Sequence, residues 1–161
     1  MNHKTGPTQQ QLDEYLGKVV AKINEHGWMV QATFDEVTDA SGMTRQVPFA
    51  YTVGLTALQK PELFVYGVPH HSAGTVLNTA AELSLEGLEP GLVEADLLAG
   101  GFKMYAVTML DIENLRIALA LYGDAVSGMQ LVWPDPEHHY PWEDDFRLDP
   151  ALQPVYGPIG L

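Results

Sequence analysis

The chain has 161 residues, of which 46% are hydrophobic and 18% charged, a composition typical of one globular domain and not of a disordered chain. Eight Lys and Arg stand against 21 Asp and Glu, so the formal net charge is −13 and a basic surface for binding DNA or RNA is not expected. No apolar run approaches the length of a membrane-spanning helix, and the polar start MNHKTGP lacks the apolar segment of a secretory signal. The absence of cysteine excludes disulfides. We therefore expect a soluble cytoplasmic protein with no membrane partner.

The first half of the chain predicts one helix and three strands. Apolar residues at spacings of three and four predict a helix from about residue 7 to residue 26, which Thr8 can cap and Gly27 can end. Alternation predicts strands over residues 28–34 and 47–55, joined by a polar hairpin loop over residues 35–45. Pro61 opens a third strand, whose apolar run over residues 63–68 indicates burial on both faces. Four residues of the second strand are predicted to share one face: Phe49, Tyr51, Val53 and Leu55.

The second half predicts two helices and two strands. A helix is expected over residues 72–85, a loop over 88–101, a strand over 102–110 and a last strand over 129–133. Between these strands, Asp111 can cap a helix over residues 112–122 that Gly123 ends. The order of elements indicates an α+β fold, with a curved, mainly antiparallel sheet of about five or six strands and three helices packed on it. We expect residues 1–8 to be flexible, residues 9–146 to form the single domain and residues 147–161 to be an extended, proline-rich tail.

Several short blocks of the sequence carry a family resemblance. They are WMV at residues 28–30, FAYTVGL at 49–55, PEL at 61–63, LN at 77–78, WPD at 133–135 and PW at 141–142. By these blocks the chain resembles the bacterial domain-of-unknown-function family 4262 over most of residues 24–145. The resemblance implies a small, single-domain, soluble bacterial protein and brings no established activity. It carries over seven positions that are polar or can hydrogen-bond: Tyr51, Thr52, Glu62, Asn78, Trp133, Asp135 and Trp142.

A ligand pocket is predicted where three segments with aromatic and titratable residues could meet. They are the Tyr51–Thr52 strand, the helix start at His70 and His71, and the segment from Trp133 to Trp142, each at or near a strand end, where loops often carry sites. The candidate ligand-binding residues are therefore Tyr51, Thr52, Glu62, His70, His71, Asn78, Trp133, Asp135 and Trp142. No nucleophile elbow, metalloprotease helix or phosphate loop is present, so the sequence names no catalytic residue, no reaction and no cofactor.

Simpler explanations of these residues remain open. Tyr51 and Thr52 face opposite sides of a strand, and Tyr51 can be a buried tyrosine with one hydrogen bond. Glu62 can be a general base, a ligand clamp or a surface carboxylate. No metal site is predicted, because adjacent histidines point in different directions. The candidates for such a site would be His70, His71, His138 and His139.

Two functions follow from the sequence. The first is binding of a small molecule or cofactor in the predicted pocket, and the second is a non-catalytic, acidic module that engages another protein. A homodimer is also expected, since paired subunits are the commonest soluble assembly.

Overall fold

A computed structural model describes residues 8–159, in which the apolar patterns form three helices and six strands. The predicted flexible segment 1–8 lies outside these residues except for Thr8, as do residues 160–161 of the predicted tail. The helices are α1 (Gln9–His26), α2 (His70–Glu86) and α3 (Arg116–Tyr122). The strands are β1 (Met29–Thr38), β2 (Thr44–Val53), β3 (Glu62–Tyr66), β4 (Gly91–Leu92), β5 (Tyr105–Thr108) and β6 (Gly128–Val132).

The strands form one sheet in the order β1-β2-β3-β6-β5-β4. Neighbours are antiparallel except for the central pair, β3 and β6, which run parallel with Glu62 opposite Gly128. The predicted α+β fold with a mainly antiparallel sheet is confirmed. Because β3 and β6 are parallel, their carboxyl ends meet at the same end of the sheet, where the chain continues into α2 and into Trp133.

Each strand of the core divides its side chains between the two faces of the sheet. Leu63 and Val65 pack with the buried side of α2, whereas Phe64 and Tyr66 pack with residues of α1 and α3. The predicted burial of β3 on both faces is confirmed, since every residue from Glu62 to Tyr66 is buried. Within residues 8–159 no helix is long and apolar enough to cross a membrane.

Both ends of α1 have the caps that the sequence predicts. The Thr8 hydroxyl accepts a hydrogen bond from the backbone N–H of Gln11, and the Gln11 side chain accepts one from the N–H of Thr8, which completes a capping box. At the other end, Gly27 adopts φ 93°, which an L side chain rarely does. Both terminal signals are confirmed.

The predicted hairpin loop over residues 35–45 is too long. Both strands continue through polar residues, so the turn spans only the residues between Thr38 and Thr44. The Asp39 carboxylate closes it by accepting bonds from the N–H groups of Ser41 and Met43 and from Arg45. This end of the hairpin is largely exposed, so its strands need no apolar alternation to pair.

Leu55 does not share the face of Phe49, Tyr51 and Val53. Gly54, at φ 129°, turns the chain into a 3-10 helix over Leu55–Leu58, and Leu55 packs with the α2 side of the core. A Cβ on residue 54 would lie 2.8 Å from the carbonyl oxygen of Gly27. Only glycine fits this close approach.

Several further elements differ from the prediction. Helix α2 begins at His70 instead of Ser72, and α3 begins at Arg116, because Asp111 accepts a bond from the N–H of Glu113 in a local turn instead of capping a helix. The segment predicted as a loop contains β4, whose two residues are too few to show a period. The strand predicted over residues 102–110 is confined to Tyr105–Thr108. The domain limits at residues 9, 146 and 147 stay a prediction.

Candidate functional site

A cavity of about 400 Å³ lies where β3 and β6 end. The connection from β3 to α2 contributes Gly67, Val68 and Pro69, and the chain after β6 contributes residues 133–136. The remaining wall comes from the segment before β5 and from the tail. We call this space the β3–β6 cavity; its other lining residues are Leu98, Ala99, Phe102 and Leu148.

Trp133 forms a rigid wall of the β3–β6 cavity. Its indole Nε1–H donates to the carbonyl oxygen of Tyr66 at 2.7 Å. Its backbone N–H and C=O both bond the side-chain amide of the buried Gln153, at 3.0 Å each. A Cβ on Gly67 would lie 3.0 Å from the indole, so the absence of a side chain there lets Trp133 close over the end of β3.

Asp135 organises the loop that follows Trp133. Its buried carboxylate accepts bonds from the N–H groups of Glu137 at 2.8 Å, His139 at 2.9 Å and Arg147 at 2.8 Å. Burial by itself raises the pKa of Asp135, but these backbone bonds and the nearby His139 outweigh it and hold the pKa below the ordinary value. The carboxylate therefore shapes the cavity wall, and its oxygens are already engaged by the protein backbone.

Two histidines of the same loop have distinct environments. His138 adopts φ 66° and stacks on Phe102 with ring centroids 4.7 Å apart, so it covers one cavity-lining aromatic. The Nδ1 atom of His139 is buried 3.7 Å from an Asp135 oxygen and has no hydrogen-bond partner within residues 8–159. No group of three or more His, Asp or Glu side chains in this described range is placed to hold a metal ion.

Glu62 and Thr52 lie at the opposite end of β3 from Trp133. Glu62 begins the five-residue strand and Tyr66 ends it, a separation of roughly 13 Å at about 3.3 Å per residue. The buried Glu62 carboxylate accepts bonds from Thr52 and Thr56 hydroxyls and from three consecutive N–H groups, those of residues 54–56. The Thr52 hydroxyl oxygen in turn accepts a bond from the N–H of Leu63. We call this set the Glu62 cluster; it ties the turn after β2 to the start of β3.

Tyr51 faces the side of the sheet that α1 and α3 cover. Its hydroxyl oxygen accepts a bond from the N–H of Ile117 in the first turn of α3, and burial raises the pKa of Tyr51 to about 12. Tyr51 lines a separate polar cavity of about 240 Å³, which we call the Tyr51 cleft. Its polar side chains are Gln31, Asp35, Tyr51, Asn114 and Arg116, together with the hydroxyl of Thr33.

The remaining candidates are dispersed. His70 donates from Nε2 to the carbonyl oxygen of Thr33 at 2.7 Å, whereas the neighbouring His71 is exposed. Asn78 accepts a bond from the Trp28 indole at 3.0 Å. Trp142 packs in an aromatic group with its ring 5.2 Å from Tyr140 and 5.0 Å from Tyr105. Of the nine candidates, the structure brings two, Trp133 and Asp135, to the wall of the β3–β6 cavity.

The apolar walls of the cavity and the glutamines that hold the tail were not predicted from the sequence. Val68, Leu98 and Phe102 line the β3–β6 cavity, but an apolar residue that faces a cavity has the same sequence pattern as one in a core. Gln130 and Gln153 are buried polar residues whose amides bond the tail or Trp133. The polar Gln130 within an otherwise apolar strand was the one available signal, because a buried amide requires partners.

Comparison with known proteins gives a match at the family level. The model of a family described as Domain of unknown function (DUF4262) matches residues 22–147, which include all six resemblance blocks and every candidate residue named above. No curated protein and no solved structure matches the chain.

Proposed function

Because the chain belongs to the DUF4262 family, whose description states no activity, we propose from its own geometry that it binds a small, mainly apolar molecule in the β3–β6 cavity. The observation that carries the proposal is a cavity of about 400 Å³ at the carboxyl ends of two parallel strands. Ligand pockets of proteins commonly occupy about 300–1,000 Å³, and in open sheets they lie outside the carboxyl ends of parallel strands.

The lining of the cavity supports an apolar ligand. Val68, Leu98, Phe102 and Trp133 all line the cavity, and the Asp135 oxygens are already bonded to the backbone. Rigid aromatic walls favour a planar ring or a short hydrocarbon, which gains free energy by leaving water. We propose binding and no reaction, because the cavity presents no nucleophile with an adjacent base.

Three of the other candidate residues have a proposed supporting role for this site. His70 follows the cavity-lining Pro69 and attaches the start of α2 to β1, so it positions one wall. Thr52 and Glu62 hold the opposite end of β3 through the Glu62 cluster. Their proposed role is to support the strand that ends at the cavity.

A dye titration tests the cavity directly. Purified protein is titrated with 1-anilinonaphthalene-8-sulfonate, whose fluorescence rises in apolar surroundings. Ala99→Trp places an indole on the cavity wall, and Ala125→Trp is the matched control, an exposed alanine in another three-residue 3-10 helix that does not line the cavity. We expect Ala99→Trp to weaken dye binding roughly tenfold or more, equivalent to about 1.4 kcal/mol, and Ala125→Trp to bind as the wild type.

Equal binding by both variants, or no binding by the wild type, would exclude the β3–β6 cavity as the dye site. Thermal unfolding of the three proteins checks that neither indole disturbs the fold. Native mass spectrometry and an absorption spectrum of the freshly purified protein then identify any molecule that the cavity retains.

A second candidate function is a docking surface for a basic protein. Tyr140 and Trp142 stack at 5.2 Å, both are half-buried, and the exposed Asp144 and Asp145 follow them in a chain of net charge −13. Aromatic faces and carboxylates both attract cationic side chains. Pull-down at low and high salt, with an Asp144→Asn/Asp145→Asn variant as comparison, tests this surface, since a charge-dependent partner is recovered less at high salt and by the variant.

A further inference from the structure

The Tyr51 cleft has a different chemistry from the β3–β6 cavity. It lies between β1, β2 and the start of α3, on the face of the sheet that α1 and α3 cover. Most of its polar side chains retain hydrogen-bonding groups that have no partner among residues 8–159. These unused groups indicate what a ligand in the cleft would carry.

Two donors of the cleft are unused within residues 8–159. The Tyr51 hydroxyl accepts its bond from Ile117 but donates to no protein acceptor in this range, although its side chain is only 2% exposed. The Arg116 guanidinium has no ion pair or hydrogen bond to the described part of the chain. Both groups favour an acceptor, and an arginine favours a carboxylate in particular.

Two acceptors of the cleft are also unused in the described chain. One oxygen of Asp35 accepts a bond from the Tyr66 hydroxyl at 2.9 Å, which leaves the other oxygen without a partner. The Asn114 amide donates to the Tyr156 hydroxyl at 3.3 Å, which leaves its oxygen available. A carboxylate and an amide oxygen together favour a ligand with several N–H donors, such as an ammonium group.

The charge pattern favours a ligand that carries both signs of charge. A simple anion would face the Asp35 carboxylate, and a simple cation would face the Arg116 guanidinium, whereas a molecule with both charges is attracted by both residues. The volume of about 240 Å³ suits a molecule the size of an amino acid. Phe49 and Ile117 add an apolar wall for an aliphatic side chain.

We infer that the Tyr51 cleft binds a free amino acid as a zwitterion. The ligand carboxylate lies toward Arg116 and the Tyr51 hydroxyl, and the ammonium group lies toward Asp35 and the Asn114 oxygen. The site is independent of the β3–β6 cavity, with which it shares no lining residue.

The test begins with a thermal-shift screen of the twenty standard amino acids at millimolar concentration. The best amino acid is then titrated by calorimetry, alongside its N-acetyl derivative, which lacks the ammonium group, and its amide, which lacks the carboxylate. We expect the zwitterion to bind and each single-charge analogue to bind roughly tenfold more weakly or worse, since each loses charge-assisted hydrogen bonds.

Matched variants assign the binding to the cleft. Arg116→Gln and Asp35→Asn are each expected to weaken binding roughly tenfold or more, while Arg45→Gln and Asp124→Asn, two exposed positions outside the cleft, leave it unchanged. Dye binding to the β3–β6 cavity should be the same in all four variants, so failure of one site is distinguishable from failure of the other. No response to any amino acid, equal binding of the single-charge analogues, or no effect of Arg116→Gln would overturn the inference.

Discussion

At the scale of single residues, Glu62 shows why a buried acid in a strand can be structural. Its two oxygens accept three backbone N–H bonds and two hydroxyl bonds, at distances between 2.6 and 3.1 Å. A carboxylate that is an acceptor for so many protein donors has no free lone pair for a substrate proton. The general-base role that the sequence left open for Glu62 is therefore not supported by its contacts. Its oxygens instead accept hydrogen bonds from backbone N–H groups of the turn after β2, which have no partner in a neighbouring strand.

We expect Glu62→Gln to lower the free energy of unfolding by about 2 kcal/mol or more, because the amide NH2 would face N–H donors that then lose their acceptor. Urea denaturation followed by circular dichroism measures the change. Glu36→Gln, an exposed position on β1, is the control and should change stability by less than about 0.5 kcal/mol. A Glu62→Gln protein as stable as this control would contradict the structural role.

The lowered pKa of Asp135 makes a prediction about acid stability. In the folded protein the carboxylate keeps its charge at pH values where the unfolded chain, with a pKa near the ordinary 3.8, takes up a proton. The stabilisation is fully present above pH 3.8 and is lost as the pH falls below that value through the folded pKa. We expect the melting temperature of Asp135→Asn to fall less steeply with acid than that of the wild type, whereas Asp124→Asn should follow the wild type. Equal slopes for all three would contradict the assignment.

At the scale of elements, adjacent histidines at the start of α2 have different roles. The helix begins at His70, so its ring reaches back across the sheet edge to the carbonyl oxygen of Thr33 and lies 4.6 Å from the Phe34 ring. His71, one position along the helix, points to solvent and its ring has no hydrogen bond or ring contact within the described chain. The two rings therefore lie in different surroundings, one bonded to β1 and the other in solvent.

We expect His70→Ala to lower the free energy of unfolding by about 1 kcal/mol, since it removes one hydrogen bond and one ring contact. His71→Ala is a matched substitution in the same turn and should change stability by less than about 0.5 kcal/mol. Thermal denaturation of the two variants at neutral pH measures the difference. If both variants lose the same stability, the contact between α2 and β1 does not contribute as described.

At the scale of the whole molecule, the charge of −13 produces repulsion across the entire surface. Among the described residues, few acidic side chains are paired with a cation, as Asp39 is with Arg45 and Asp96 with Lys103. The exposed carboxylates are therefore screened mainly by solvent and salt. The homodimer expected from the prevalence of paired subunits stays a prediction, which light scattering during size-exclusion chromatography checks.

We expect sodium chloride to stabilise the fold. Raising ionic strength from about 0.01 M to about 0.15 M shortens the Debye length from about 30 Å to about 8 Å and screens the repulsion between carboxylates. The melting temperature should rise over this range, and an uncharged solute at equal osmolality should not reproduce the rise. A melting temperature that falls with salt would mean that the few ion pairs outweigh the general repulsion.

Elements whose signals are local could be predicted from the amino-acid sequence. The spacing of Leu12, Leu16 and Val19 with the caps at Thr8 and Gly27 predicted α1, and the apolar run after Pro61 predicted a strand buried on both faces. These signals are readable because a helix cap, a helical period and a buried strand each depend on a few residues that are close along the chain.

Which candidate residues meet depends on how distant segments of the chain pack together. The parallel pairing of β3 with β6 brings Trp133 and Asp135 beside the end of β3 and leaves Thr52 and Glu62 at its far end, while Tyr51 faces a separate cleft. Strand order and the direction of pairing depend on contacts between segments more than sixty residues apart, and such contacts leave no periodic trace in the sequence. For the same reason, the sequence could not show which donors and acceptors of the Tyr51 cleft lack a partner, because that depends on which distant segments pack around them.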